Sequence, residues 1–203
     1  VLFADVSGST RLYETLGDER ALAAIGRCVA EMRDACEGHL GRVVKTIGDE
    51  VMAVFPLAEH AAQAAAAMQN RIAAQPQPPG QRLTIRVGFH YGPALEADGD
   101  VFGDSVNVAA RLVGVAHAGQ VITSATTSAL LPPWLRARAR ELVALTIKGK
   151  LKDLAVCELL WADAGDELTT LSTRVATVRM ARLVVRHGAR EIVLGERLAT
   201  LSI

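Results

Sequence analysis

The stretch Arg42-Val-Val-Lys-Thr-Ile-Gly-Asp-Glu-Val-Met-Ala-Val-Phe55 decides how this chain is read. Arg42 to Ile47 and Val51 to Phe55 are strand-forming runs, and Gly48-Asp49-Glu50 between them is a tight glycine-containing turn. A hairpin there displays an acidic residue at its tip. Upstream, Val1 to Ala4 is a short apolar strand leading to Asp5, and Ser7-Gly8-Ser9-Thr10 supplies the small and hydroxyl residues that open a helix. If the first strand and the hairpin are neighbours in one sheet, Asp5 and Asp49 converge at one end of it.

Outward from the hairpin the elements alternate. Between Asp18 and Leu40 the apolar residues Ala21, Leu22, Ile25, Val29, Met32 and Cys36 recur at three and four, as on an amphipathic helix, which Gly38 and Gly41 end. Ala58 to Ala74 is a second, alanine-rich helix that can pack closely on a sheet, and Pro76-Gln-Pro-Pro-Gly80 is a surface connector. Leu83 to Tyr91 reads as a strand that turns at Gly92-Pro93, Leu95 to Val101 as a shorter strand, and Gly103 to Val115 as a third helix. Val121 to Ser124 is a strand and Ala125 to Leu131 a short helix. Two late strands, Ala139 to Ile147 and Ala155 to Leu160, flank the basic turn Lys148-Gly149-Lys150. Strands alternating with helices predict an α/β sandwich with helices covering a sheet.

From Trp161 to Glu167 the residues become polar and small, which marks a boundary; Val178 to Ile203 then alternates around His187-Gly188 and Gly195, as the first strands of a small all-β module do. The expected organisation is a domain over 1–162, a linker over 163–177 and a β module over 178–203. The chain starts at Val1 inside a strand, so it reads as a piece of a longer protein.

Composition narrows the function. Half of the residues are hydrophobic, and 22 Lys plus Arg balance 22 Asp plus Glu, so neither nucleic acid nor a membrane surface is expected as partner. No apolar run approaches the roughly 20 residues that span a bilayer, and a cytoplasmic location is expected. Cys28, Cys36 and Cys157 form no CxxC pair and read as reduced core thiols.

The Asp5 and Asp49 carboxylates outline a metal site. Mg²⁺ takes a few hard oxygen ligands and completes its shell with water and substrate phosphates, so two aspartates suffice. Two ions held by such a pair can activate an attacking hydroxyl and stabilise the leaving oxygen of an in-line phosphoryl displacement. Taken singly, Asp5 also reads as a helix cap and Asp49 as a turn former.

The residues Phe3-Ala-Asp-Val-Ser-Gly-Ser-Thr10, Val44-Lys-Thr-Ile-Gly-Asp-Glu-Val-Met52, Arg86-Val-Gly-Phe-His90 and Val101-Phe-Gly-Asp-Ser-Val-Asn-Val-Ala-Ala-Arg111 resemble the class III adenylyl and guanylyl cyclases, in order and spacing, over about Val1 to Leu160. The resemblance implies a ferredoxin-like βαββαβ sandwich of α+β class, and two Mg²⁺ or Mn²⁺ ions per site held at Asp5, Val6 and Asp49. It also implies that Lys45 and Asp100 read the purine, Asn107 orients the ribose, Arg111 stabilises the transition state, and Lys148 and Arg86 hold the triphosphate.

Elementary chemistry fits these roles. Asn107 and Arg111 are four apart in a helix and so share a face. Arg111 is permanently charged and forked, which suits charge spread over equatorial phosphate oxygens. An ammonium at Lys45 can donate to adenine N1 and a carboxylate at Asp100 can accept from the 6-amino group, whereas guanine presents the opposite polarity there. The implied reaction is therefore ATP to 3′,5′-cyclic AMP. In the family, metal aspartates and base-reading residues come from different subunits; one chain that carries both sets implies a homodimer with two composite sites.

A catalytically silent cyclase-like signalling module, a guanylate cyclase and another two-metal nucleotidyl transferase are the alternatives. Downstream, Arg182-Leu-Val-Val-Arg-His-Gly188, Glu191-Ile-Val-Leu-Gly195 and Leu198 to Ile203 resemble the opening strands of a forkhead-associated domain, which implies a phosphothreonine partner.

Overall fold

In the first strand, β1 (Leu2–Val6), strict alternation sends Leu2, Ala4 and Val6 into one apolar cluster, while Val1 and Phe3 enter another on the opposite face. Asp5 shares the second face with Phe3. The computed structural model describes residues 1–78, 80, 82–145, 154–162, 183–187 and 190–194. The chain divides into two units, Val1–Asp163 and Ala164–Ile203.

In the first unit β1 is followed by α1 (Ser9–Leu16), α2 (Asp18–Gly38), β2 (Arg42–Ile47), β3 (Glu50–Val54), α3 (Ala58–Ala74) and β4 (Ile85–Phe89). Then come β5 (Leu95–Ala97), β6 (Asp100–Phe102), α4 (Asp104–Val115), β7 (Val121–Ser124), α5 (Ala125–Ala129), α6 (Pro133–Arg136), β8 (Ala139–Leu145) and β9 (Leu154–Leu159). The main sheet has the order β2-β3-β1-β4-β7-β9-β8. Its first four strands pair antiparallel, which is the ferredoxin-like βαββαβ arrangement, and β7 adds parallel to β4.

Helices α2 and α3 cover one face, burying Ile25, Cys28, Met32, Cys36, Met68 and Ile72 against β1, β3 and β4. Burial pushes the Cys28 thiol up to about 11 and that of Cys36 to about 12, so both act as small apolar groups. The other face carries α4, which buries Ala109 and Val113 against Phe3 and Met52, and Val108 and Leu112 against Ile122 and Val156. Gly88 of β4 lets α4 approach: a Cβ there would lie 2.1 Å from the Val113 nitrogen. The helix therefore rests on bare strand backbone.

Several boundaries differ from the sequence reading. The single strand expected over Leu95 to Val101 is a separate hairpin, β5 with β6, because Asp98 (φ 52°) and Gly99 (φ 76°) make a two-residue turn of type I′ character. The helix opened by Ser9 is interrupted at Gly17 (φ 77°), so α1 and α2 are distinct. Asp5 does not cap α1: it lies within β1, and Gly8 occupies the cap position without a side-chain hydrogen bond. Beside the late strands, Arg138 donates to the Trp161 and Ala162 carbonyls, and exposed Arg140 to Glu158.

In the second unit β10 (Leu183–His187) and β11 (Arg190–Leu194) form an antiparallel hairpin. The other strands expected between 178 and 203 lie outside the described residues. Among the described residues no helix is long and apolar enough to cross a membrane.

Candidate active site

The carboxylates meet because of register. β1 lies between β3 and β4, with Asp5 opposite Glu50 on one side and Arg86 on the other, so all three side chains emerge on the α4 face at one end of the sheet. Gly48 (φ 62°) and Asp49 form the two-residue turn that closes β2 onto β3, with glycine first as a type II′ turn requires. Asp49 is thus one residue from Glu50, at the same corner.

Asp5 is nearly buried, its side chain 12% exposed, and Arg86 holds it: Nε donates to Oδ2 at 2.6 Å, and Nη2 is ion-paired with the same oxygen at 2.5 Å. Glu50, to which the sequence reading gave no role, is the third carboxylate. Burial, followed by the charge of Asp5, raises its pKa above 4.5; Asp49 adds to the rise and Arg86 opposes it. The signal that could have revealed Glu50 is strand alternation, which puts it on the face of Asp5.

This corner suits a divalent cation. Asp5 and Asp49 are hard oxygen donors, three carboxylates face a single arginine, and Ser7 Oγ at the same strand end is buried without a hydrogen-bond partner among the described residues. Val6, whose side chain is buried in the core, could offer a cation only its carbonyl oxygen. Among the described residues no three acidic, histidine or cysteine side chains form a ligand cage, so water and substrate oxygens must complete any shell, as Mg²⁺ prefers.

A second pair lies nearby on the same face. Lys45, opposite Met52 in β2, donates from Nζ to Asp100 Oδ2 at 2.5 Å, and Asp100 Oδ1 accepts the Val101 N–H at 2.8 Å. The bond from Lys45, then that from Val101, holds the Asp100 carboxyl below its usual range. A bulge between Val43 and Lys45 re-aims β2 here. The β5–β6 hairpin that carries Asp100 is fastened to β2 a second time by Arg42 donating to Glu96 at 2.6 Å.

Asn107 is exposed on α4 and Arg111 partly so, on the side away from buried Val108, Ala109, Leu112 and Val113. Neither side chain makes a hydrogen bond or ion pair with a described residue, so the chain leaves both available. The structure therefore groups Asp5, Asp49 and Arg86, joins Lys45 to Asp100, and bonds Asn107 and Arg111 to neither group. Lys148 lies outside the described residues.

Fold and residues together define a domain of the class III nucleotide cyclase family. The family model of the adenylate and guanylate cyclase catalytic domain matches residues 1–157, and the chain belongs to this family. The chain is similar to a putative adenylate cyclase of Rhizobium meliloti, at 37% identity over 61% of this chain and 22% of that protein. It is similar also to an adenylate cyclase of Streptomyces coelicolor, at 33% identity over 59% of this chain and 30% of the relative. It thus spans less than a third of the length of these two relatives. The structure of an adenylate cyclase from Trypanosoma brucei in its monomeric state superposes with a TM-score of 0.71 over 80% of this chain and 89% of that one, at 20% identity. Class III cyclases use divalent metal ions.

Proposed function

We propose that this domain is an adenylate cyclase that converts ATP to 3′,5′-cyclic AMP and pyrophosphate at sites shared between two copies of the chain. The observation that carries the choice of base is the Lys45–Asp100 pair, which offers a donor and an acceptor side by side. Adenine N1 accepts from an ammonium and its 6-amino group donates to a carboxylate; guanine would set a carbonyl against Asp100 and leave buried polar groups mismatched.

The carboxylates of Asp5 and Asp49 and the carbonyl of Val6 would hold the metal ions. When bound, those ions supply Lewis acidity toward the 3′-hydroxyl and neutralise phosphate charge. Asn107 binds the ribose and points its 3′-oxygen toward the α-phosphorus, which is the proximity part of the catalysis. Arg111, four residues on and forked, donates to the oxygens on which charge accumulates. Arg86 and Lys148 bind the triphosphate and stabilise departing pyrophosphate.

The two-copy assembly is supported by what is left uncovered. Asn107 and Arg111 bond to neither the carboxylate corner nor the base-reading pair, and Ile47 (56% exposed) and Phe102 (51%) present apolar side chains on the hairpins that carry Asp49 and Asp100. A C2 pairing can bury such surface and bring the Asp5 corner of one copy to the Arg111 face of the other. The test is product formation by the purified protein with Mg²⁺ or Mn²⁺, from ATP and from GTP, beside an Asp49→Ala control. Cyclic AMP that disappears in the control supports the reading; cyclic GMP in its place identifies a guanylate cyclase, and no product from folded dimer identifies a silent module.

A further inference from the structure

We propose that Arg86 is the resident counter-ion of Asp5, which an incoming divalent cation must displace, so that metal entry is the event that frees Arg86 for the nucleotide phosphates. This rests on the reading of Asp5 as a metal ligand.

Arg86 and Asp5 face each other across neighbouring strands, and Nε, as donor, and Nη2, in ion-pair contact, converge on the same oxygen, Oδ2. An ionised carboxylate that is 12% exposed needs a compensating charge, and Arg86 is the cation the structure gives it. The charge count at the corner makes the exchange favourable. Register puts the carboxylates of Asp5 and Glu50 opposite each other with Asp49 next in the turn, three against one guanidinium, whereas a divalent ion matches the corner better. The guanidinium and the metal cannot share Asp5 at no cost, since two cations a few ångströms apart repel strongly in a partly desolvated corner. Arg86 is also built to leave: its side chain is 39% exposed, so it can swing outward while Asp5 stays fixed in β1.

Displacement couples two ligands. Phosphates that attract Arg86 draw it from Asp5 and raise the metal affinity, and by linkage the metal raises nucleotide affinity by the same factor. In the absence of nucleotide Arg86 opposes the metal. Its removal therefore strengthens metal binding to the nucleotide-free protein, although Arg86 would be a helpful residue once substrate is present.

The experiment measures Mn²⁺ binding to the nucleotide-free 203-residue chain, from the electron paramagnetic resonance signal of unbound Mn²⁺, with folding checked by circular dichroism. Arg86→Gln is expected to bind Mn²⁺ at least about tenfold tighter than wild type, the low end of what one neighbouring charge does to a proton on a carboxylate. Arg86→Lys, which keeps the charge and loses the fork, is expected to fall between, at about threefold, and decides the matter if the glutamine variant does not fold. Asp5→Asn is expected to abolish the site. Binding by Arg86→Gln that is no tighter than wild type, or absent at millimolar Mn²⁺, overturns the counter-ion exchange while loss in Asp5→Asn leaves Asp5 a ligand. Wild-type affinity in Asp5→Asn removes the metal assignment itself, and the exchange with it.

Discussion

Lys45 and Asp100, 55 residues apart in the chain, are ion-paired within a single subunit at 2.5 Å. If this pair reads the base, as proposed, it is assembled before any nucleotide arrives, and little reorganisation is left for substrate binding. Asp100→Ala should therefore lower kcat/KM for ATP by about tenfold to a hundredfold and reduce the preference over GTP by a similar factor, because the group that rejects guanine is removed. Steady-state kinetics with both nucleotides checks this; an unchanged ATP-to-GTP ratio would take Asp100 out of base selection.

The same pair has a pH signature. Its partner hydrogen bonds lower the pKa of Asp100, so the stabilisation is present above the ordinary carboxylate value of 3.8 and is lost as pH falls through the lower folded value. Nuclear magnetic resonance of the Asp100 carboxyl carbon should show titration below 3.8 in wild type. In Lys45→Met it should move toward that value.

Glu50 has the opposite sign. A carboxyl with a raised folded pKa penalises folding once both states are ionised, and the penalty vanishes as pH drops below 4.5. Glu50→Gln should therefore melt higher than wild type at neutral pH and equally in acid. Melting curves across that range check the sign.

Much of this arrangement is legible in the sequence, and the parts that are not have physical causes. The Ala58–Ala74 helix and the β2–β3 hairpin follow from apolar spacing and a glycine turn, which are local signals. The partnership of Asp5 with Arg86 depends on register between strands 81 residues apart, and nothing local encodes it. Glu50 escaped in part for the same reason: alternation gives its face within β3, but its place opposite Asp5 is set by the register of β3 on β1. The Asp98-Gly99 turn, by contrast, was available as a strong hairpin dipeptide and was absorbed into a single strand.

Gly88→Ala should uncouple the two halves of the chemistry. A methyl group 2.1 Å from the Val113 nitrogen forces α4 off the sheet, and with it Asn107 and Arg111. The expected cost is about 1–3 kcal/mol, as for an overpacked core position, read from urea denaturation. Activity at low temperature, where the variant is still folded, should fall by more than the unfolded fraction explains.

Complementation tests the shared site. Asp49→Ala and Arg111→Ala proteins should each be inactive. Mixed in equal amounts, they should recover about a quarter of wild-type activity, since half of randomly paired dimers are mixed and each of those has one intact site. Failure to recover, with subunit exchange shown by light scattering of tagged forms, would place both residues in one subunit's site.

The β5–β6 hairpin is held to the domain by buried Val101 and by two charged fasteners, Arg42–Glu96 and Lys45–Asp100, while Leu95 is 74% exposed and the Asp98-Gly99 tip carries none of the core. Letters in this short appendage can be rewritten without repricing the scaffold beneath it. If Asp100 selects the purine, base choice can be altered on this hairpin with little effect on the core, and ionic strength should disturb fidelity sooner than it disturbs the fold.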